Sequence, residues 1–461
     1  MDPEKFQSDS RKLLITGFIC YLLALIYNLF LVKKSTTIKQ ICLIVAGLLI
    51  CIYNFSLHSI HSLVVGCSVW ISIKFLGPSK LMVANNFVLS MTYLFYGYYQ
   101  KYISKSKGFT WTMPQCVLTL SMIALSFDVY DGHISRKKSS TTLKTNDNSV
   151  IPMSQDETMI YHTPSLIEIL SKIYFPPTFM IGPLLSFKHY LQYIESKQSF
   201  LAIFWKQSIL RLSIGLIYLL FFKIGQTYLP EEYFFTENFK SSNLLFKLSI
   251  IAVANKLILC KYISAWLISE GACILFGVSR NPKTNALDRC CNVSLLHYET
   301  TATFRGVIES FNITTNRFVA KYIYKRLKWL KSKTLSQTIS LFFLAIWHGL
   351  YLGYYNTFAL ELIVTRMESD IANQVIKLRI KNGRFNQFLN QTSARWIIYV
   401  LMRLHVIYTL SYCFLSFAIL DYDRWTSVLA DIYYCGHFVY SVWFIMSIAN
   451  YLLRFQSKNA K

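Results

Sequence analysis

Acidic side chains are scarce in this 461-residue chain, where 23 Asp and Glu face 47 Lys and Arg for a formal charge of +24. In a water-soluble protein such an excess points to nucleic acid. Charge of either sign is itself sparse, however, at 15% of residues against 54% hydrophobic. That balance excludes a disordered basic tail and argues against a soluble nucleic-acid binder, so no nucleic-acid partner is expected. Ten prolines and 17 glycines exclude a collagen-like or low-complexity chain. The 11 cysteines fall mostly in apolar runs, with no Cys-x-x-Cys and no Cys/His ligand spacing. We therefore expect no metal site and no disulfide framework, with Cys290 and Cys291 forming a thiol pair in a surface loop.

Apolar runs, by contrast, are everywhere. Leu13–Val32 carries no formal charge and is long enough, at about 1.5 Å per residue, to cross a roughly 30 Å hydrocarbon core. Further runs cover Ile41–Phe55, Ile60–Leu76, Leu81–Tyr99, Val117–Val129, Ser208–Phe222, Trp396–Leu420 and Val428–Leu453. Pro164–Phe187 is broken by Pro176-Pro177 and Gly182-Pro183, a pattern tolerated at membrane depth only where neighbours satisfy the freed backbone. Leu244–Val278 holds Lys256, Lys261 and Glu270 and reads as two spans or one kinked buried element. Between the runs, residues 132–163 read as a polar exposed loop, and Ser279–Thr303 as a second. Phe304–Lys333 is helical in pattern but too charged to span, and Glu368–Asn390 is a basic amphipathic stretch suited to the interface. The expected fold is an all-α polytopic membrane protein with about 11 transmembrane helices plus interfacial and re-entrant helices. Lys and Arg occupy nearly every loop, so the positive-inside bias leaves the orientation open.

Two segments, together residues 310–364, can carry chemistry. In the first, Asn312 sits in the polar break Ser310–Asn316. After it, Arg317, Lys321, Lys325 and Lys328 form one stripe at helical spacing, opposite Val319, Ile323, Leu327 and Leu330. The stripe suits either an interfacial helix with a solvated basic face or a dock for a polyphosphate group. In the second, His348 lies inside the apolar run Leu335–Val364. A lone buried His is often structural, yet an ionisable group inside a span is costly unless it has a task, and a neutral imidazole can act as a general base. The other eight histidines have no comparable context. Asn312-Ile313-Thr314 also matches the glycosylation sequon, as do runs at Asn54, Asn292 and Asn390.

Taken together, the Asn-bearing run Ser310–Leu327 and the His-bearing run Leu344–Tyr355 resemble the signature motifs of the membrane-bound O-acyltransferase family, lysophospholipid branch. Ser126–Gly132, Pro164–Glu168, Gly182-Pro183 and Trp266–Leu275 are similar to further family segments. The Phe-Tyr-x-Asp-Trp-Trp-Asn block of the sterol and diacylglycerol branch is missing. Phe311 stands where most lysophospholipid members have Trp, and with Tyr322–Leu327 downstream it most resembles the lysophosphatidylcholine acyltransferases. Val278–Asn285 departs from the family's glycine-containing loop.

The resemblance implies one membrane-embedded acyltransferase domain over residues 1–461 with a central catalytic chamber, His348 and Asn312 as the catalytic pair, and no cofactor beyond acyl-CoA as co-substrate. The acceptor would be the sn-2 hydroxyl of a lysophospholipid: lysophosphatidylcholine first, then lysophosphatidylethanolamine or lysophosphatidylserine. Lys321, Lys325, Arg326 and Lys328 are the candidates for the coenzyme A phosphates. The lipid bilayer is a partner, and the endoplasmic reticulum membrane the implied location. Oligomeric state stays open, a homo-oligomer included. Two rivals also stay open: acylation of a peptide or protein, and secondary transport, which the broken segment Phe175–Pro183 would suit.

Overall fold

The computed structural model describes residues 3–104, 110–145 and 157–459. They are mostly helical, and the sole β-type pairing among the described residues is an isolated antiparallel bridge between Val293 and Phe311. Helices form where the apolar runs lie, and short polar residues start them. Ser35 accepts from the Ile38 N–H (3.4 Å) at the head of Thr36–Phe55, and Ser79 accepts from the Met82 N–H (3.1 Å) at the head of Lys80–Ile103. By length and composition, five helical stretches among the described residues can cross a membrane: Arg11–Leu31, Thr36–Leu76, Thr112–Lys137, Leu201–Phe235 and Thr392–Ile419. The bent pair Tyr422–Asp431 and Cys435–Ser447 makes up to six. The roughly 11 spans expected from hydropathy are not all matched by this test.

The chain divides into two compact units. The first comprises Met1–Ile217, Ile263–Asn292 and Arg317–Ile323; the second comprises Tyr218–Tyr262, Val293–Asn316 and Tyr324–Lys461. Aromatic rings cluster within the largely aliphatic core of the first, where Phe175 lies 5.1 Å from Phe276 and 5.5 Å from Tyr190, centre to centre. In the second, Phe304, Leu360, Val364, Tyr412, Leu415 and Trp425 are buried together.

Several boundaries differ from the sequence reading, for identifiable reasons. The stretch expected as a loop from Gly132 continues the Thr112–Thr145 helix. Its polar composition argues against burial but not against helix, and Arg and Lys are good helix formers. Residues 146–156 of that expected loop lie outside the described residues. Leu244–Phe276 is one continuous helix. Its charges find partners instead of breaking it: Lys256 pairs with Glu299 at 2.7 Å and Glu270 with Arg211 at 3.1 Å. The amphipathic stretch from Glu368 is not a separate element, since Leu352–Lys381 runs through it before a short Gly383–Asn390 helix. Cys290, expected at the surface, is fully buried in the first unit's core. It is a small hydrophobe there, and none of the 11 cysteines is in a disulfide.

Candidate active site

Asn312 occupies a break between two short helices, Phe304–Ser310 and Ile313–Phe318. Its φ of +51° lies in the left-handed region, where Asn is among the few side chains tolerated. Backbone and side-chain contacts hold the break in place. Phe311 pairs with Val293 across the isolated bridge, and the Ser294 N–H donates to the Ser310 carbonyl at 2.9 Å. The Asn316 amide donates to the carbonyls of Ile308 (2.7 Å) and Phe311 (3.0 Å), satisfying acceptors that the interrupted helix leaves orphaned. The Phe311 ring packs 5.4 Å from Tyr298. At the far end of Phe304–Ser310, the Glu368 carboxylate accepts from the N–H groups of Phe304 (2.7 Å) and Arg305 (3.0 Å), a charge-assisted cap at a helix N-terminus.

His348 also lies at a break, not in mid-span as the sequence suggested. It is the last residue of Lys333–His348, and the chain turns through Gly349 before Leu352–Lys381 begins. Gly349 has φ +137°, a conformation other residues rarely adopt, which explains glycine after the histidine. Aromatic rings surround the imidazole: Trp347 at 4.6 Å, Phe417 at 4.9 Å, and Tyr354 and Phe358 each at 5.4 Å. The last two come from the helix that follows the turn, Phe417 from Thr392–Ile419. A partly buried imidazole in such a setting can take or return a proton with little competition from water. Asn312 and His348 both belong to the second unit.

The four basic candidates do not share one face. After Phe318 the segment winds as a π-helix over Val319–Ile323 and then a 3₁₀-helix over Tyr324–Leu330. Lys321 belongs to the first unit and pairs with the buried Asp128 carboxylate at 3.3 Å. The Tyr322 hydroxyl donates to the same carboxylate at 2.8 and 2.9 Å, the Thr158 hydroxyl donates at 2.6 Å, and Lys321 also bonds Thr158. Lys325 and Lys328, in the second unit, are exposed, and a 3₁₀ spacing of three places them on one face; Arg326 is partly buried. Sequence reasoning missed three groups here. Asn316 and Asp128 lay inside quoted motifs without a role, and Glu299, part of a polar loop by pattern, accepts from Lys256 and Tyr218 on two long helices. Among the described residues, no three His, Cys, Asp or Glu gather so as to hold a metal ion.

A helical protein with several helices long and apolar enough to cross a membrane, a histidine among aromatic rings and an asparagine at a separate backbone break is a membrane-embedded protein with two polar side chains placed for chemistry. Residues 82–412 match the membrane-bound O-acyltransferase family, and the chain belongs to that family. It is 32% identical over 451 residues to lysophospholipid acyltransferase 5 of Bos taurus, covering 94% of this chain and 88% of that protein. Its similarity to lysophospholipid acyltransferase 5 of Drosophila melanogaster is 32% over 443 residues, 94% and 86% of the two chains. A lysophospholipid acyltransferase of Schizosaccharomyces pombe is 27% identical over 288 residues, 59% and 54% of the two.

Proposed function

We propose that this protein transfers a fatty acyl group from acyl-CoA to the free hydroxyl of a lysophospholipid, with His348 as general base and Asn312 as its partner. In this reading the His348 imidazole takes the hydroxyl proton as the oxygen attacks the thioester carbonyl carbon. A C–O bond forms, the C–S bond breaks, and the departing coenzyme A thiolate recovers the proton from the imidazolium. Asn312 donates its amide N–H to the developing oxyanion or orients the hydroxyl, the kind of group whose removal costs about 10²–10³ in rate. The setting of His348 among Trp347, Tyr354, Phe358 and Phe417 carries the reading, because it offers one proton-transfer group in apolar surroundings. Lysophosphatidylcholine is the favoured acceptor and the endoplasmic reticulum membrane the favoured location. Lys325 and Lys328 are the surface cations best disposed to attract the coenzyme A phosphates.

The test is to incubate the purified protein with labelled acyl-CoA and a panel of lysophospholipids. Label in phospholipid supports the reading. Label in peptide or protein supports peptide acylation instead, and no transfer to either leaves transport.

A further inference from the structure

The segment that presents Asn312 is pinned from outside by polar contacts that no step of the proposed chemistry uses. The short helix Leu295–Thr300 precedes it, and residues 293–294 and 310–311 close the two ends of the segment on each other. Glu299 anchors this helix. Its carboxylate accepts from Lys256 at 2.7 Å through each oxygen and from the Tyr218 hydroxyl at 2.8 Å, with Arg403 at 4.0 Å. Arg403 also donates to the Thr301 carbonyl at 2.8 Å, and the Tyr399 hydroxyl donates to the Thr300 carbonyl at 2.8 Å, so two carbonyls at the C-terminal end of the helix are met. Three separate long helices therefore converge on one six-residue helix.

The ion pair also reaches toward Asn312. Lys256, fixed by both Glu299 oxygens, holds its ammonium 4.3 Å from the centre of the Tyr298 ring, a cation–π distance. Tyr298 is 2% exposed, and its ring packs against Phe311, the residue before Asn312. The series Glu299, Lys256, Tyr298, Phe311 thus ends one peptide bond from a residue held at φ +51°. Both charges are about one-third exposed (Lys256 38%, Glu299 33%). A pair that open contributes little to global stability, which leaves orientation as the effect to look for.

We propose that Glu299 is a positioning residue for Asn312, acting through Lys256, Tyr298 and Phe311. This rests on the role given to Asn312 above. The test compares Glu299→Gln, Lys256→Met and Lys256→Arg with the parent enzyme for kcat and KM, each alone and in an Asn312→Ala background that keeps a residual rate. Glu299→Gln and Lys256→Met should lower kcat by roughly 10-fold or more, since small misplacements of a catalytic group are costly, while KM for acyl-CoA stays within about twofold. Lys256→Arg, which keeps the cation, should recover most of the rate. In the Asn312→Ala background, Glu299→Gln should cost nothing further. An equal loss with and without Asn312, or a loss confined to KM or to thermal stability, overturns the positioning role. Full activity of Asn312→Ala itself would instead overturn the role of Asn312, and is read from that single variant alone.

Discussion

Replacing Asn316 by Asp preserves the side chain's shape and removes both of its donors. In the parent protein these donate to the Ile308 and Phe311 carbonyls at 2.7 and 3.0 Å, across the break that displays Asn312. Each such bond contributes about 0.5–1.5 kcal/mol net, so the clamp is worth about 1–3 kcal/mol locally. At about 1.4 kcal/mol per tenfold, losing it would lower the population of the displayed conformer by at most roughly 5- to 150-fold. The Val293 bridge and the Tyr298–Phe311 ring contact remain, so Asn316→Ala should fall at the lower end of that range. Asn316→Asp should be worse, because it sets a carboxylate against two carbonyl oxygens with no proton between them. The assay is acyl transfer to lysophospholipid by each purified variant, beside a detergent-solution melting curve. The expected order of rates is parent, Ala, Asp, with melting temperatures within a few degrees. An Asn316→Asp enzyme as fast as the parent would refute the clamp.

Three further outcomes follow from the same contacts. Asp128→Ala should destabilise the first unit by about 3–5 kcal/mol by leaving Lys321 without its counter-charge, and Asp128→Ala/Lys321→Met should recover part of that in thermal unfolding. In Gly353→Ala the new Cβ would lie 2.1 Å from the Ser416 carbonyl, forcing Leu352–Lys381 away from Thr392–Ile419. A cost of about 1–3 kcal/mol and a drop in transfer are expected, measured by melting and by rate, because both helices supply rings around His348. Lys325→Gln/Lys328→Gln should raise KM for acyl-CoA and flatten its salt dependence at unchanged kcat, as expected when two exposed cations steer a polyanion.

Hydropathy alone located most helices, because a run such as Leu13–Val32 has a single physical solution in a bilayer. It left Leu244–Phe276 open between two spans and one buried element, since Glu299 and Arg211 lie far away in sequence and pair with its charges only after folding. Asn312 and His348 stood out by residue type and context. Their settings did not, because each depends on backbone geometry: φ +51° at Asn312 itself, and +137° at Gly349 beside His348. The basic stripe was drawn at α-helical spacing, and the π and 3₁₀ turns after Phe318 changed which side chains share a face. Lys321 was further displaced by Asp128, a partner 193 residues away that no local pattern could supply.

The central claim is that His348 moves the proton in acyl transfer. The most direct measurement is the rate at which purified His348→Ala transfers labelled acyl groups from acyl-CoA to lysophosphatidylcholine, alongside its elution profile and melting curve. The account predicts a folded protein with transfer reduced to background. A folded His348→Ala enzyme that still makes phosphatidylcholine near the parent rate would contradict it.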